Sequence, residues 1–222
     1  MTREPLSLSC PEGLTFLTGG ARSGKSRVAQ EIASGSESQV CFLATAEALD
    51  DDMASRITQH QNDRPCDWLT KEAPIEINKE LLNIDKNDVV IIDCLTLWVS
   101  NLLSAEFSSD EIFRKSSEVI ATIGNRSAGT IVVSNEVGLG IVPGNELSRA
   151  YRDVLGSVNQ LFARKSDHFF GRVYPYKKSK LFYESLEDPH PIFDIYKKSA
   201  QPYVHILGRV DKFSGKIQKL LT

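Results

Sequence analysis

The chain has 222 residues, 41% of them apolar and 25% charged, with a formal net charge of −3. That length suits one sizeable domain with a substantial core, and the charge balance gives no reason to expect nucleic acid or an anionic membrane as a partner. Its four cysteines, Cys10, Cys41, Cys66 and Cys94, form no C-x-x-C pair, which argues against a zinc site.

The start, Met1-Thr2-Arg3-Glu4-Pro5, lacks the basic and apolar stretches of a leader, and no segment approaches the length of a membrane span. A reducing cytoplasm is therefore the expected compartment. Leu14 to Leu17 is an apolar run ending on a glycine pair, a strand feeding a tight turn. Ser26 to Ala33 follows with Val28, Ala29, Ile32 and Ala33 on one side of a helix, and Val40 to Ala44 is a second strand. Together they form a βαβ unit of a parallel sheet. Asp50, Asp51 and Asp52 open a helix at the end where acidic side chains suit the dipole. Met53, Ile57 and His60 share its inner side, and Pro65 ends it.

A short strand is expected at Trp68 to Thr70 and a short helix at Glu76 to Leu82. Val89 to Ile92 is a central strand covered on both faces, ending on Asp93. Leu95 to Leu103 and Glu111 to Ile123 are two helices, and Thr130 to Val133 is another buried strand. Leu147, Tyr151, Val154, Val158 and Leu161 then mark a long amphipathic helix. Beyond Phe170 no clean period continues. The expected organisation is an N-terminal extension at 1–13, one domain at 14–170 and an atypical tail at 171–222. The fold class is α/β: a doubly wound, mostly parallel sheet of P-loop NTPase type with helices on both faces.

Gly19-Gly20-Ala21-Arg22-Ser23-Gly24-Lys25-Ser26 fits G-x-x-x-x-G-K-[ST] and sits between a strand and a helix, the context the motif requires. Its glycines let backbone N–H groups curl round phosphate oxygens at the positive end of the helix. Lys25 would reach the β and γ phosphates, and the Ser26 hydroxyl would bind Mg²⁺. Asp93 is the expected second carboxylate on the magnesium side, although a strand-end aspartate also serves as a plain helix cap. His60 lies between Arg56 and Arg64. Lone helical histidines are more often structural, but one beside a P-loop is also able to attack a nucleoside triphosphate. Glu72 is unremarkable in isolation. Ser134-Asn135-Glu136-Val137-Gly138 directly follows a buried strand, which suits a site at the carboxyl edge of a parallel sheet.

Four ordered blocks between about residues 14 and 170 resemble one family, the bifunctional adenosylcobinamide kinase / adenosylcobinamide-phosphate guanylyltransferases. They are the P-loop at 19–26; Ala44-Thr45-Ala46 with Arg56, His60, Arg64-Pro65 and Trp68; Asp93-Cys94-Leu95-Thr96 with Asn101; and Asn135 through Pro143. The resemblance implies phosphorylation of adenosylcobinamide by ATP or GTP, then transfer of GMP from GTP onto that phosphate. The guanylyl group would pass through a covalent intermediate on His60. The resemblance also implies nucleotide contacts from the P-loop, Ala44, Thr45, Ala46, Gln61, Asn62, Asp63, Arg64, Glu72 and Asp93, and a homotrimer. Asp93 stands where relatives often carry Glu.

The departure comes at the end, where relatives close on an apolar strand similar to V-V-[SA]-G-[IL]-P. Here Phe169-Phe170 is followed by Gly171-Arg172-Val173-Tyr174-Pro175. Codons permitted for those residues, read one base later, allow Val-Val-Ser-Ile-Pro or Val-Val-Ser-Ile-Leu, so the tail is read as frameshifted or diverged. Two other readings stay open: a P-loop kinase or NTPase for a different small molecule, and a nucleotide-binding protein that the altered terminus has inactivated.

Overall fold

The computed structural model describes residues 10–48, 50–62, 64–138, 142–172 and 207–208. In chain order the elements are β1 (Leu14–Gly19), α1 (Lys25–Ala33), β2 (Val40–Ala44), α2 (Asp51–Asn62), β3 (Leu69–Glu72), α3 (Ile77–Leu82), β4 (Val89–Asp93), α4 (Leu95–Ser104), α5 (Ser109–Gly124), β5 (Thr130–Val133), α6 (Glu146–Lys165), β6 (His168–Arg172) and β7 (Leu207–Gly208). The strands form one sheet in the order β3-β2-β4-β5-β1-β6-β7. Every pairing from β3 to β6 is parallel, and β7 alone runs antiparallel. The expected α/β class and mostly parallel sheet are what the chain adopts.

β4 and β5 are runs of β-branched residues because both of their faces are covered. Val90, Ile91, Ile92, Ile131 and Val132 are all 0% exposed. Alternate residues feed two separate cores. On one face Phe16, Leu43, Val90, Ile92 and Val132 pack with α3, α4, α5 and α6 around Trp98 and Phe162. On the other face Leu17, Phe42, Ile91, Ile131 and Val133 pack with Val28, Ala29, Ile32 and Ala33 of α1. Helix starts are specified locally. Ser108 and Glu111 form a reciprocal capping box at α5, and the Asn145 side chain accepts the Ser148 amide at α6.

Two expectations shift. The buried side of α6 carries Val154, Leu155, Val158, Asn159 and Phe162, whereas Leu147 is 70% exposed. The apolar stripe is rotated, because a polar Asn159 occupies a core position and an apolar Leu147 lies in the exposed first turn. The second shift concerns the end of the parallel sheet. A strand does form there, β6, and it crosses the 170/171 boundary to Arg172. His168 to Arg172 pair with Thr15 to Gly19, and the Phe169 ring lies 5.9 Å from that of Phe16. The mixed composition of this strand hid it. Its conformation comes from the waiting edge of β1 rather than from its own propensity.

Candidate active site

The strand registers bring Ala44, Glu72, Asp93 and the P-loop strand to one edge of the sheet. Ala44 is opposite Glu72 on β3 and Asp93 on β4; Asp93 is opposite Val133; and Val133 is opposite Leu17. Along the carboxyl edge the order is therefore Glu72, Ala44, Asp93, the exit of β5 at Ser134, and the P-loop. Ligand sites of open parallel sheets lie along this edge, where helix N-termini face the ligand. β1 and β4 are not neighbours, so β5 stands between the P-loop strand and the strand that ends in Asp93.

The P-loop turns on positive backbone angles, with φ 57° at Arg22 and φ 82° at Gly24, the residue before α1. Gly24 takes this left-handed conformation without a Cβ penalty. Lys25 is buried, and its ammonium folds back over the loop. It donates to the Gly19 carbonyl at 3.0 Å, the Gly20 carbonyl at 2.7 Å and Ser23 Oγ at 3.3 Å. A positive charge is thus held at the centre of the turn, where phosphate oxygens are expected. Ser26 is half-buried in the first turn of α1, and Asp93 is half-buried at the end of β4. A hydroxyl and a single carboxylate are oxygen donors too few to cage a metal alone. That donor set fits Mg²⁺, which keeps waters and phosphate oxygens in its shell. Among the described residues no group of three or more His, Cys, Asp or Glu gathers to hold a metal unaided.

The loops leaving the strands are fixed by buried polar side chains. Thr45 Oγ1 accepts the Cys94 amide at 2.7 Å and donates to the Cys94 carbonyl at 2.8 Å. Asn101, from α4, donates to the Thr45 carbonyl at 2.8 Å and the Pro74 carbonyl at 3.1 Å. On the other side, Thr96 Oγ1 accepts the Asn135 amide at 2.8 Å. Asn159 donates to the Asn135 carbonyl at 3.0 Å and accepts the Ser134 hydroxyl at 2.6 Å. Tyr151 donates its hydroxyl to the Thr96 carbonyl at 3.2 Å. The sequence reading assigned no role to Thr96, Asn101 or Asn159. The available signal was polarity inside apolar helix stripes, since a buried amide persists only where its hydrogen bonds are met.

Arg64 is half-buried with its guanidinium 3.5 Å from the centre of the Phe42 ring, and it donates to Thr70 Oγ1 at 3.3 Å. Burial lowers its pKa, and the Asp93 carboxylate acts against that shift. Its Nε is buried without a partner. Arg64 thus brings an incompletely paired cation toward the Asp93 end of the edge, as an anion site requires. Gln61 and Asn62 are exposed in the last turn of α2, and Glu72 is exposed at the end of β3. Ala21 and Arg22 are exposed at the crest of the P-loop, while Gly20 and Ala46 are half-buried. Asp63 lies outside the described residues, as do the side chains of Arg56 and His60; the backbone of both belongs to α2. Cys94 is no competing nucleophile. Burial, then the neighbouring Asp93 carboxylate, pushes its thiol up to about 11, so it stays protonated at neutral pH.

Several known proteins are similar to this chain. The bifunctional adenosylcobalamin biosynthesis protein CobU of Escherichia coli is 39% identical over 163 residues, covering 68% of this chain and 90% of the relative. The corresponding CobP of Pseudomonas aeruginosa is 38% identical over 153 residues, covering 68% and 88%. Among solved structures, the flagellar accessory protein FlaH of Methanocaldococcus jannaschii superposes with a TM-score of 0.45 at 15% identity, covering 78% of this chain and 73% of its own. The sequence model described as cobinamide kinase / cobinamide phosphate guanyltransferase matches residues 15–173, and the chain belongs to that family.

Proposed function

We propose that the chain phosphorylates the aminopropanol hydroxyl of adenosylcobinamide with ATP or GTP, then transfers GMP from a second GTP to that phosphate through guanylyl-His60. The observation that carries this reading is the order along the carboxyl edge, where the P-loop and Asp93 flank the exit of β5 and Arg64 lies over Phe42 of β2. In the first reaction Lys25 and the P-loop amides bind the β and γ phosphates. Ser26 and Asp93 would hold Mg²⁺, which when bound neutralises charge on the phosphate oxygens.

In the second reaction neutral His60 attacks the α phosphorus of GTP. An N–P bond forms, the bond to pyrophosphate breaks, and pyrophosphate leaves. A phosphate oxygen of adenosylcobinamide phosphate then attacks the same phosphorus and releases the imidazole. Gln61, Asn62, Asp63, Arg64, Glu72 and the segment Ala44-Thr45-Ala46 complete the nucleotide contacts. The domain expected at 14–170 carries both reactions, with β6 extending it to Arg172. The enzyme works in the cytoplasm as a homotrimer, which light scattering of the purified protein checks.

The test is incubation with α-labelled GTP and Mg²⁺ followed by denaturation. The reading requires label on the protein that is labile in acid and stable in base, released as labelled corrinoid when adenosylcobinamide phosphate is added. Phosphorylated corrinoid with no labelled protein would leave a kinase alone. Bound GTP without either product would leave a nucleotide-binding protein.

A further inference from the structure

We infer that Glu136 is the general base of the phosphoryl-transfer step, an assignment that rests on the kinase reading above. That reaction needs a group to take the proton of an alcohol as its oxygen attacks phosphorus, and the P-loop, Lys25, Ser26 and Asp93 offer none for that purpose. Topology narrows the search. β5 runs between β1 and β4, so its exit is the one strand end adjoining both the P-loop strand and the Asp93 strand. Glu72 ends the edge strand β3, four strand positions from β1, or about 19 Å at the usual strand spacing.

Within the β5 exit, Ser134 is buried and commits its hydroxyl to Asn159. Both backbone groups of Asn135 are held from α4 and α6. Glu136 comes next, and its amide donates to the Gly19 carbonyl at 2.9 Å. The same carbonyl accepts the Lys25 ammonium at 3.0 Å. The backbone of Glu136 and the cation expected at the transferred phosphate therefore meet at one oxygen atom.

The side chain is prepared for the role. It is half-buried, and Oε1 accepts the Gly138 amide at 2.5 Å. Among the described residues no cation pairs with it and Oε2 has no partner, so one oxygen is left to accept a proton. A Cβ at position 138 would stand 2.8 Å from Oε1 and push the carboxylate out of this curl, so glycine there favours the observed arrangement. Arg152 fixes the far end of the loop by donating to the Gly138 carbonyl at 2.9 Å. In the step itself the substrate hydroxyl oxygen bonds to the γ phosphorus, its proton passes to Glu136, and the bond to the β-phosphate oxygen breaks as nucleoside diphosphate leaves. The guanylyl steps need no such base. Their nucleophiles are a neutral imidazole and a phosphate oxygen that carries no proton.

The test is E136Q, which keeps an oxygen acceptor for the Gly138 amide, assayed in parallel for corrinoid phosphorylation by ATP and for labelling by α-labelled GTP. Kinase kcat is expected to fall about 100-fold or more, with KM for ATP and the labelling rate within about threefold of wild type. E136D should recover part of the kinase rate. A kinase kcat within about fivefold of wild type overturns the assignment, as does an equal loss in both assays, which would mark a shared structural role. Failure of the wild-type protein to phosphorylate any corrinoid would instead overturn the kinase reading, and this inference with it.

Discussion

Asn101→Ala tests whether the buried scaffold behind the site is energetically real. Asn101 is 8% exposed, and its amide serves two carbonyls on different loops, Thr45 at 2.8 Å and Pro74 at 3.1 Å. Alanine removes this donor from the buried Thr45 carbonyl and from the part-buried Pro74 carbonyl. At about 1 kcal/mol net per bond, plus part of the cost of stranding them, the loss is about 2–3 kcal/mol. For a chain of this size that lowers Tm by about 5–10 °C. Because Thr45 also brackets both backbone groups of Cys94, next to Asp93, nucleotide KM should rise with the loss of stability.

N101D separates hydrogen bonding from packing. It nearly preserves volume but turns an acceptor toward two carbonyl oxygens, so at neutral pH it should be worse than alanine. The introduced carboxyl would be held protonated in the fold, with its pKa raised above the unfolded value. The folded state then binds the extra proton, and stability recovers as pH falls. Thermal melts across pH with nucleotide kinetics at one pH are the assay. A Tm for N101A within about 1 °C of wild type would refute the reasoning, as would an N101D variant no worse than N101A at pH 7.

Four other outcomes are expected. Lys25→Ala should lower kcat/KM of both reactions by about 100-fold or more, since one ammonium serves one phosphate site; rates equal to wild type would remove the P-loop assignment. H60A should abolish protein labelling by α-labelled GTP yet phosphorylate adenosylcobinamide measurably; surviving label would move the nucleophile elsewhere. Ser108→Ala should lower Tm by about 3 °C through loss of the α5 capping box. The Ser108 hydroxyl and amide hold the Glu111 carboxyl below the usual carboxylate range, so this stabilisation is present above that range and fades as pH falls through the depressed value; a gap between variant and wild type that widens in acid would contradict it. A chain ending after Arg172 should fold and keep both activities, because β6 stays paired with β1; one ending after Asp167 loses the Phe169 ring from Phe16 and should not fold.

Strands and helices were legible where burial on both faces or a single stripe left a periodic trace. Val40 to Ala44 and Thr130 to Val133 were bounded to the residue, because turn-forming residues punctuate pure apolar runs. β6 was not legible. His168, Phe169, Phe170, Gly171 and Arg172 mix types that favour no single conformation, and only the open edge of β1 makes them a strand. The P-loop was plain because its chemistry demands fixed types at fixed spacing. Asp93 was visible as the end of an apolar run. The roles of Thr45, Thr96, Asn101 and Asn159 were hidden, because their partners lie 24 to 56 positions away in sequence. Glu136 stands in the polar stretch that follows β5, but what distinguishes it is that its amide reaches Gly19, a fact of strand order rather than spacing.

Strand order also explains how one P-loop serves two chemistries. The kinase step acts on the γ phosphorus with a weak, protonated nucleophile, so it needs a base beside the P-loop. The guanylyl step acts on the α phosphorus with imidazole and needs none. On the assignments proposed above, the two requirements fall on separate elements. Glu136 follows β5, locked between β1, α4 and α6, whereas His60 belongs to α2, none of whose described side chains joins either core cluster. A base must hold its geometry while a proton crosses, and the rigid core at β5 provides that. A covalent carrier must meet GTP first and a large corrinoid phosphate second, and the described side chains of its helix lie outside the core that the base depends on. Substitutions at position 136 and at position 60 should therefore separate the two activities in opposite directions, while substitution at Lys25 should not separate them at all.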